Sequence, residues 1–422
     1  MKTRTSSVSY VPNADLTGLV FCFSLIILLF SSISLPAGSP IGSVVGEVLG
    51  SLPGVAVVAN VDSFSLTQVR YSDLNVAIPV AFLLMVVVLV RNGKRTLSLM
   101  MNIAYAFLLV FALIAGTSAL FYKEYVEALK LAVYVVGIAC FFSFEDEERK
   151  GIARKLLSIC LVAGIVNAGI TIWQYGSMAS WEFSPSTIRL YRPDGIFGDS
   201  IISALFSNVT IAVLALGATR LKAPVRIIVI LLCMVAGVVT GARTFYYLLV
   251  IVGAYLMLAK TRDVSLEKKA LLLCLMIAVV ASPLGQSMID SLTFQDIVSS
   301  RDIKRQLAIE QFGNSPVFGI GTGQYAIYEA SLGMPANSGL HGTNPHNVYV
   351  QVLCENGLVG FIPFVLGLIC SLWLAFKRKN ALAVVLLVIY TAIGWSLGIL
   401  YSIAFTSFFV VFVCSLLGTS ED

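Results

Sequence analysis

Apolar runs of about 15–22 residues recur from one end of this 422-residue chain to the other. A helix needs roughly 20 apolar residues to cross the hydrocarbon layer. Within lipid every backbone group must bond inside its own segment, which makes the helix the natural form of such runs. The runs fall at 16–35, 74–90, 97–116, 129–144, 156–175, 200–219, 227–241, 244–259, 270–289, 350–376, 381–399 and 400–418. Some are short and need polar residues at their ends to complete a span. Only 12% of residues are charged, against about a quarter in a soluble domain. The expected fold is an all-α polytopic membrane protein of about twelve transmembrane helices. The segment 41–59 is apolar but rich in Gly, with Glu47 and Pro53 inside it. It is read as a re-entrant or interfacial piece of the first outer loop. Lys2 and Arg4 before the first run imitate a signal peptide, but the run is long and no clear A-x-A site follows, so an uncleaved first span is expected.

Basic residues orient such a bundle, because cytoplasmic loops hold the excess of Lys and Arg. With the N-terminus inside, 19 of the 28 fall in inner loops, among them Arg91, Lys94, Arg149, Lys150, Lys222, Lys268, Lys377 and Lys379. Both termini are therefore expected in the cytoplasm. Outer loops follow at 36–73 and 176–199 within a first part, 1–289, that holds nine spans. A long outer loop, 290–349, precedes three final spans in 350–422. Loops of that length in a compact protein are usually functional or disordered, and this one carries turn residues and a potential helix, SSRDIKRQLAIEQF, with Arg301 and Arg305 on one face.

The two histidines of the chain, His341 and His346, both lie in the long loop. Their spacing fits no helical face and no Cys or carboxylate cluster accompanies them, so no metal site is expected. Neutral imidazole can take up a proton near pH 7, which makes a general base the more productive reading. Nine basic residues stay outside, namely Arg70, Lys123, Lys130, Arg189, Arg192, Arg243, Arg301, Lys304 and Arg305. Headgroup anchoring accounts for any one of them. The planar guanidinium also suits phosphate, and a lipid-linked pyrophosphate at the outer leaflet is one ligand that needs several. Arg243 stands between two apolar runs, where an unpaired charge is costly. The eight cysteines sit in or beside apolar runs without a CxxC pair, as buried small side chains do. No clustered basic surface for nucleic acid is present. GIGTGQY from Gly319 lacks a Walker lysine and a βαβ context, so it reads as a turn-rich loop rather than a nucleotide site.

SPVFGIGTGQY from Ser315 and NPHNVYVQVLCENGLVGF from Asn344 resemble the O-antigen ligase and polymerase superfamily. His346, Asn347, Glu355, Gly357 and Gly360 match its histidine stretch. RPDGIFG from Arg192 and GARTFYY from Gly241 resemble its arginine segments, with Gly241 and Ala242 in place of serine-like positions. The resemblance covers roughly 190–376. It implies a GT-C-like, metal-independent glycosyltransferase without a cofactor, in the bacterial inner membrane with its active site on the periplasmic face. The implied donor is a glycan on undecaprenyl pyrophosphate, and the acceptor another glycan or glycolipid. His346 would be the base, while Arg192, Arg243 and Arg301, with Arg305 in reserve, would hold the pyrophosphate. Asn347, Glu355 and His341 are possible supports. Other polysaccharide-assembly proteins are possible partners. A polymerase extending lipid-linked repeat units of O-antigen, capsule or exopolysaccharide is preferred, and a ligase acting on lipid A–core is the alternative. A chain ending soon after its last span argues against the larger protein-modifying relatives. A twelve-span transporter fits less well, because the spans are almost free of charge.

Overall fold

The computed structural model describes residues 13–30, 34–36, 56–57, 63–65, 69–71, 74–75, 77–92, 103–178, 193, 195–197, 200–216, 221–258, 300–332, 345–395 and 412–417. Most of the apolar runs have become helices. They are α1 (Asn13–Phe30), α2 (Ala77–Asn92), α3 (Ile103–Phe121), α4 (Tyr125–Phe142), α5 (Asp146–Met178), α6 (Ser200–Ala215), α7 (Ala223–Val239) and α8 (Arg243–Leu258). After the long loop come α11 (Val348–Lys377) and α12 (Ala381–Gly394), and 412–417 is a further helical piece. The loop itself contributes α9 (Ser300–Asn314) and α10 (Gln324–Ser331). Among the described residues, Ile103–Phe121, Glu147–Gly176 and Val348–Lys377 are long and apolar enough to cross a membrane, and six shorter apolar helices accompany them. The run 270–289, most of 400–418 and most of 41–59 lie outside the described residues.

Three features depart from the expected pattern. Between α1 and α2 run five strands of two or three residues, β1 (Ser34–Pro36), β2 (Ala56–Val57), β3 (Ser63–Ser65), β4 (Val69–Tyr71) and β5 (Leu74–Asn75). They make two small antiparallel sheets, β1-β3 and β2-β4-β5, a minor addition to a helical fold. Ser34 pairs with Ser65, which brings the two ends of 37–62 together. Second, α5 starts ten residues before its apolar run and takes in Arg149, Lys150, Arg154 and Lys155. The Glu145 N–H donates to the Glu148 carboxylate at 2.8 Å and Lys150 pairs with Glu147 at 3.2 Å, local contacts that stabilise a polar helical turn. Third, α11 is broken at Gly357.

The helices are tied at two ends. At one, Asn92 donates to the Ser143 hydroxyl at 3.3 Å and Asn380 donates to the Leu416 carbonyl at 2.9 Å. The Arg149 guanidinium lies 5.6 Å from the Phe142 ring centroid at the same end. These turns belong to the loops assigned to the inner side. Short reversals at 122–124, 143–145, 240–242 and 378–380 alternate the helix directions. The other end therefore collects the 122–124 and 240–242 turns with α9, α10 and the start of α11. Between the two, α11 packs most extensively along α3. Phe111 and Phe364 meet at 5.0 Å between centroids, and Gly367 leaves the space that Leu108 occupies. Small residues at such crossings let helix backbones approach where lipid supplies no hydrophobic drive.

Candidate active site

The site is organised by an exchange of hydrogen bonds. Gly357 takes φ 58° and ψ −163°, which stops α11 from closing its bonds from 358 to 354 and from 359 to 355. The four groups set free pair instead with the loop after α9. Ile320 and Gly321 N–H donate to the Cys354 and Glu355 carbonyls, both at 2.9 Å. Leu358 and Val359 N–H donate to the Pro316 and Val317 carbonyls at 2.9 and 3.1 Å. Buried backbone groups must be paired somewhere, and here two helical bonds are replaced by four between loop and helix. The contact is close enough to require glycine on both sides. A Cβ on Gly357 would strike the Val317 carbonyl oxygen, and one on Gly319 would strike the Glu355 backbone. The Thr322 hydroxyl adds a bond to Asn356 Oδ1 at 2.8 Å, and its N–H one to the Ser118 hydroxyl at 3.1 Å. The glycine-rich stretch is thus a turn-rich loop, as read from the sequence, and its function is to lock onto the broken helix and the end of α3.

His346 stands at the entrance to α11. Asn347 is the N-cap, extended in backbone, and its side chain accepts from the Tyr349 and Val350 N–H at 3.0 and 3.1 Å. This satisfies two of the orphan donors at the helix start. His346 itself has φ 50°, the left-handed region that costs a non-glycine residue roughly 1–2 kcal/mol. Strain of that kind persists only where the surroundings enforce it, and functional sites are where it collects. The imidazole is half-buried. Burial first, then the positive charges of Arg301, Lys304 and Arg305, push its pKa down to about 4. It is therefore neutral at pH 7, the state in which it can accept a proton.

The cations come from α9. Arg301 is exposed. Arg305 is half-buried, pairs with Asp302 at 3.4 Å and donates to the Trp395 carbonyl beyond α12 at 3.2 Å. Lys304 departs from its reading as an outer, headgroup-facing charge. It is fully buried and forms an ion pair with Glu329 of α10 at 3.2 Å. Glu355 is also buried; its backbone carbonyl serves the loop contact.

The arginine segments of the middle of the chain are placed less completely. Arg243 begins α8, after a turn in which Gly241 has φ 60°, at the same end of the bundle. Arg192 and His341 lie outside the described residues. Just after Arg192, Gly195 is held by Gln174, whose amide accepts from its N–H at 2.8 Å and donates to its carbonyl at 3.3 Å. Asn167 Oδ1 accepts from Ile196 N–H and from the Ser203 hydroxyl, both at 3.1 Å. Asn167, Gln174, Thr322, Glu329 and Asn356 were not singled out in the sequence. Each is a lone polar residue in an apolar or loop setting, and only the distant partner gives it meaning. Among the described residues no group of three or more His, Cys, Asp or Glu could hold a metal.

No curated protein matches the chain. The family model for O-antigen ligase matches residues 227–365, a stretch that takes in α8, α9, the glycine loop, His346 and the break in α11. Members of that family are glycosyltransferase-like enzymes of polysaccharide biosynthesis. The match falls on the segments that resembled the superfamily, and it leaves out Arg192 and the final spans. Residues 227–365, with the candidate base and the arginines of α8 and α9, are thus similar to the O-antigen ligase family.

Proposed function

We propose that this chain is an inner-membrane glycosyltransferase that transfers a glycan from undecaprenyl pyrophosphate to a sugar hydroxyl at the periplasmic face. The observation that carries this reading is His346, held neutral beside the cations of α9 in the family-matched segment. His346 takes the proton of the acceptor hydroxyl as its oxygen attacks the anomeric carbon. The bond from that carbon to the pyrophosphate oxygen breaks, and the leaving group departs as undecaprenyl pyrophosphate. Arg301, Arg243 and Arg192, supported by Arg305, neutralise the charge that develops there. The donor bond supplies the driving force, so neither nucleotide nor metal is needed.

Binding of the donor also prepares the base. The α9 cations help to hold the imidazole pKa low. A dianionic pyrophosphate beside them offsets their field, so the pKa rises toward the working pH, where a general base is most effective. Base strength is thereby linked to occupancy of the donor site.

The test is transfer from a purified lipid-linked donor at matched protein levels. His346→Ala loses about 10²–10⁴-fold in rate, the usual contribution of a positioned base, while still inserting in membranes. Alanine at Arg192, Arg243 or Arg301 cuts transfer strongly, and lysine rescues poorly because it lacks the bidentate fork. Turnover persists in EDTA. Wild-type rates in His346→Ala, or arrest by chelation, would overturn the mechanism. The acceptor is read as a second lipid-linked repeat unit, from the form of the PHNVYVQ stretch. The description of the matched family, O-antigen ligase, favours lipid A–core instead. Deleting the gene separates the two, since a polymerase leaves single repeats on the core and a ligase leaves polymer on the carrier lipid.

A further inference from the structure

Lys304 and Glu329 are each 1% exposed and lie 3.2 Å apart, one on α9 and one on α10. A second bond joins the same helices, from the Tyr325 hydroxyl to the Lys304 carbonyl at 2.8 Å. Tyr325 also packs with Ala308 of α9 and Cys354 of α11 in a small buried cluster. The phenol has its pKa raised, by burial first and then by the Glu329 carboxylate, so it remains a hydrogen-bond donor. A buried ion pair is a poor source of net stability, because desolvation cancels most of the attraction and apolar replacements of like shape often do as well. What such a pair does supply is register. Lys304 lies between Arg301 and Arg305 in sequence, and each residue step turns a helix by about 100°. Fixing Lys304 inward thus fixes where both arginines point.

We propose that the Lys304–Glu329 pair, together with the Tyr325 bond to the Lys304 carbonyl, is a positioning device that sets the rotation of α9, so that Arg301 and Arg305 meet the donor pyrophosphate beside His346. It touches no substrate and acts through the arginines, and it rests on the donor reading above. The consequence is a split in the kinetic constants. Losing the pair misplaces the donor contacts, so the donor KM rises and kcat falls with the weakened hold on the leaving group, whereas the acceptor KM is unchanged.

The experiment compares wild type, Lys304→Met/Glu329→Met and Arg301→Ala in lipid nanodiscs, with an undecaprenyl-pyrophosphate-linked repeat unit as donor and thermal melting as the fold control. The double variant replaces both charges by side chains of similar length and leaves no uncompensated buried ion. It is expected to melt like wild type, to raise the donor KM about tenfold and to lower kcat as well, since an ångström of misplacement can cost up to about 100-fold; the acceptor KM is unchanged. A folded double variant with wild-type donor KM overturns the proposal. If the double variant does not fold, Tyr325→Phe decides, because it removes the second tie without leaving a charge. An increase in donor KM supports positioning, and an unchanged value overturns it. Arg301→Ala keeps the two claims apart. A raised donor KM in Arg301→Ala beside an unchanged double variant refutes positioning alone, whereas an unchanged KM in Arg301→Ala refutes the donor clamp and this inference with it.

Discussion

At the scale of the residue, His346 combines a strained backbone with an imidazole whose proton affinity is suppressed. The strain belongs to the position. Glycine at 346 relieves it and alanine does not, so His346→Gly is expected to melt higher than His346→Ala by thermal denaturation, although both lose the base. The suppressed pKa gives a pH profile with a definite sign. Only the neutral ring accepts a proton, so kcat/KM is flat through neutrality and falls as pH drops through about 4. That limb reports the free enzyme, whereas kcat reports the donor-bound state, where the anion has raised the pKa. The kcat limb therefore lies at higher pH than the kcat/KM limb. Arg305→Ala removes one of the cations that lower the pKa and shifts the kcat/KM limb upward. Steady-state rates from about one unit below that limb up to neutrality check both, and coincident limbs would refute coupling between donor and base. His346 was legible in the sequence because the chain has only two histidines and one opens an apolar run. Lys304 was not. On α9 it looks like any other solvated base, and its inward turn depends on a glutamate of another helix.

At the scale of the element, α11 shows how an apolar pattern hides a break. Residues 350–376 read as one uninterrupted span because Leu358, Val359 and Phe361 after the kink are as apolar as Val350 and Val352 before it. Hydropathy does not register that two backbone bonds have changed partners. The glycines carried the signal, but a GxGxG pattern alone is compatible with many loops, and it was the pairing of Gly319 with Gly357 that gave it a structural role. The prediction at this scale contrasts two substitutions. Gly357→Ala adds a Cβ at positive φ against the Val317 carbonyl, where the backbone penalty alone is roughly 1–2 kcal/mol. Gly313→Ala, in α9 with nothing nearby to meet, removes a flexible residue from a helix and stabilises by about 0.5–1 kcal/mol. Thermal melts in detergent should move in opposite directions. Equal effects would mean that the loop and the broken helix do not depend on each other.

At the scale of the whole molecule, the chain gathers chemistry at one end of a bundle of apolar helices. The order of the runs foretold most of this, because a helix that must cross lipid and turn back leaves little choice of direction. The β strands after α1 and the polar extension of α5 were not legible, since two- and three-residue pairings and local carboxylate caps leave no periodic trace. Sidedness is tested by reporter fusions. Those after Lys94, Lys150, Lys222, Lys268 and Lys379 are expected to read as cytoplasmic, and a tag near Gly333 as periplasmic. An inside signal at Gly333 would remove the site from the face where the donor is presented. The exchange of bonds around Gly357 bears on how the molecule holds together when its chain is opened. Four backbone bonds and the Thr322–Asn356 contact join the stretch before position 333 to the stretch after 344, so covalent continuity between them is redundant once folded. A protease site inserted within 333–344 and cleaved in the membrane should yield two fragments that purify together and still transfer glycan. The protein could then be made from two genes, and the join would be a natural place to graft sequence that selects a different acceptor.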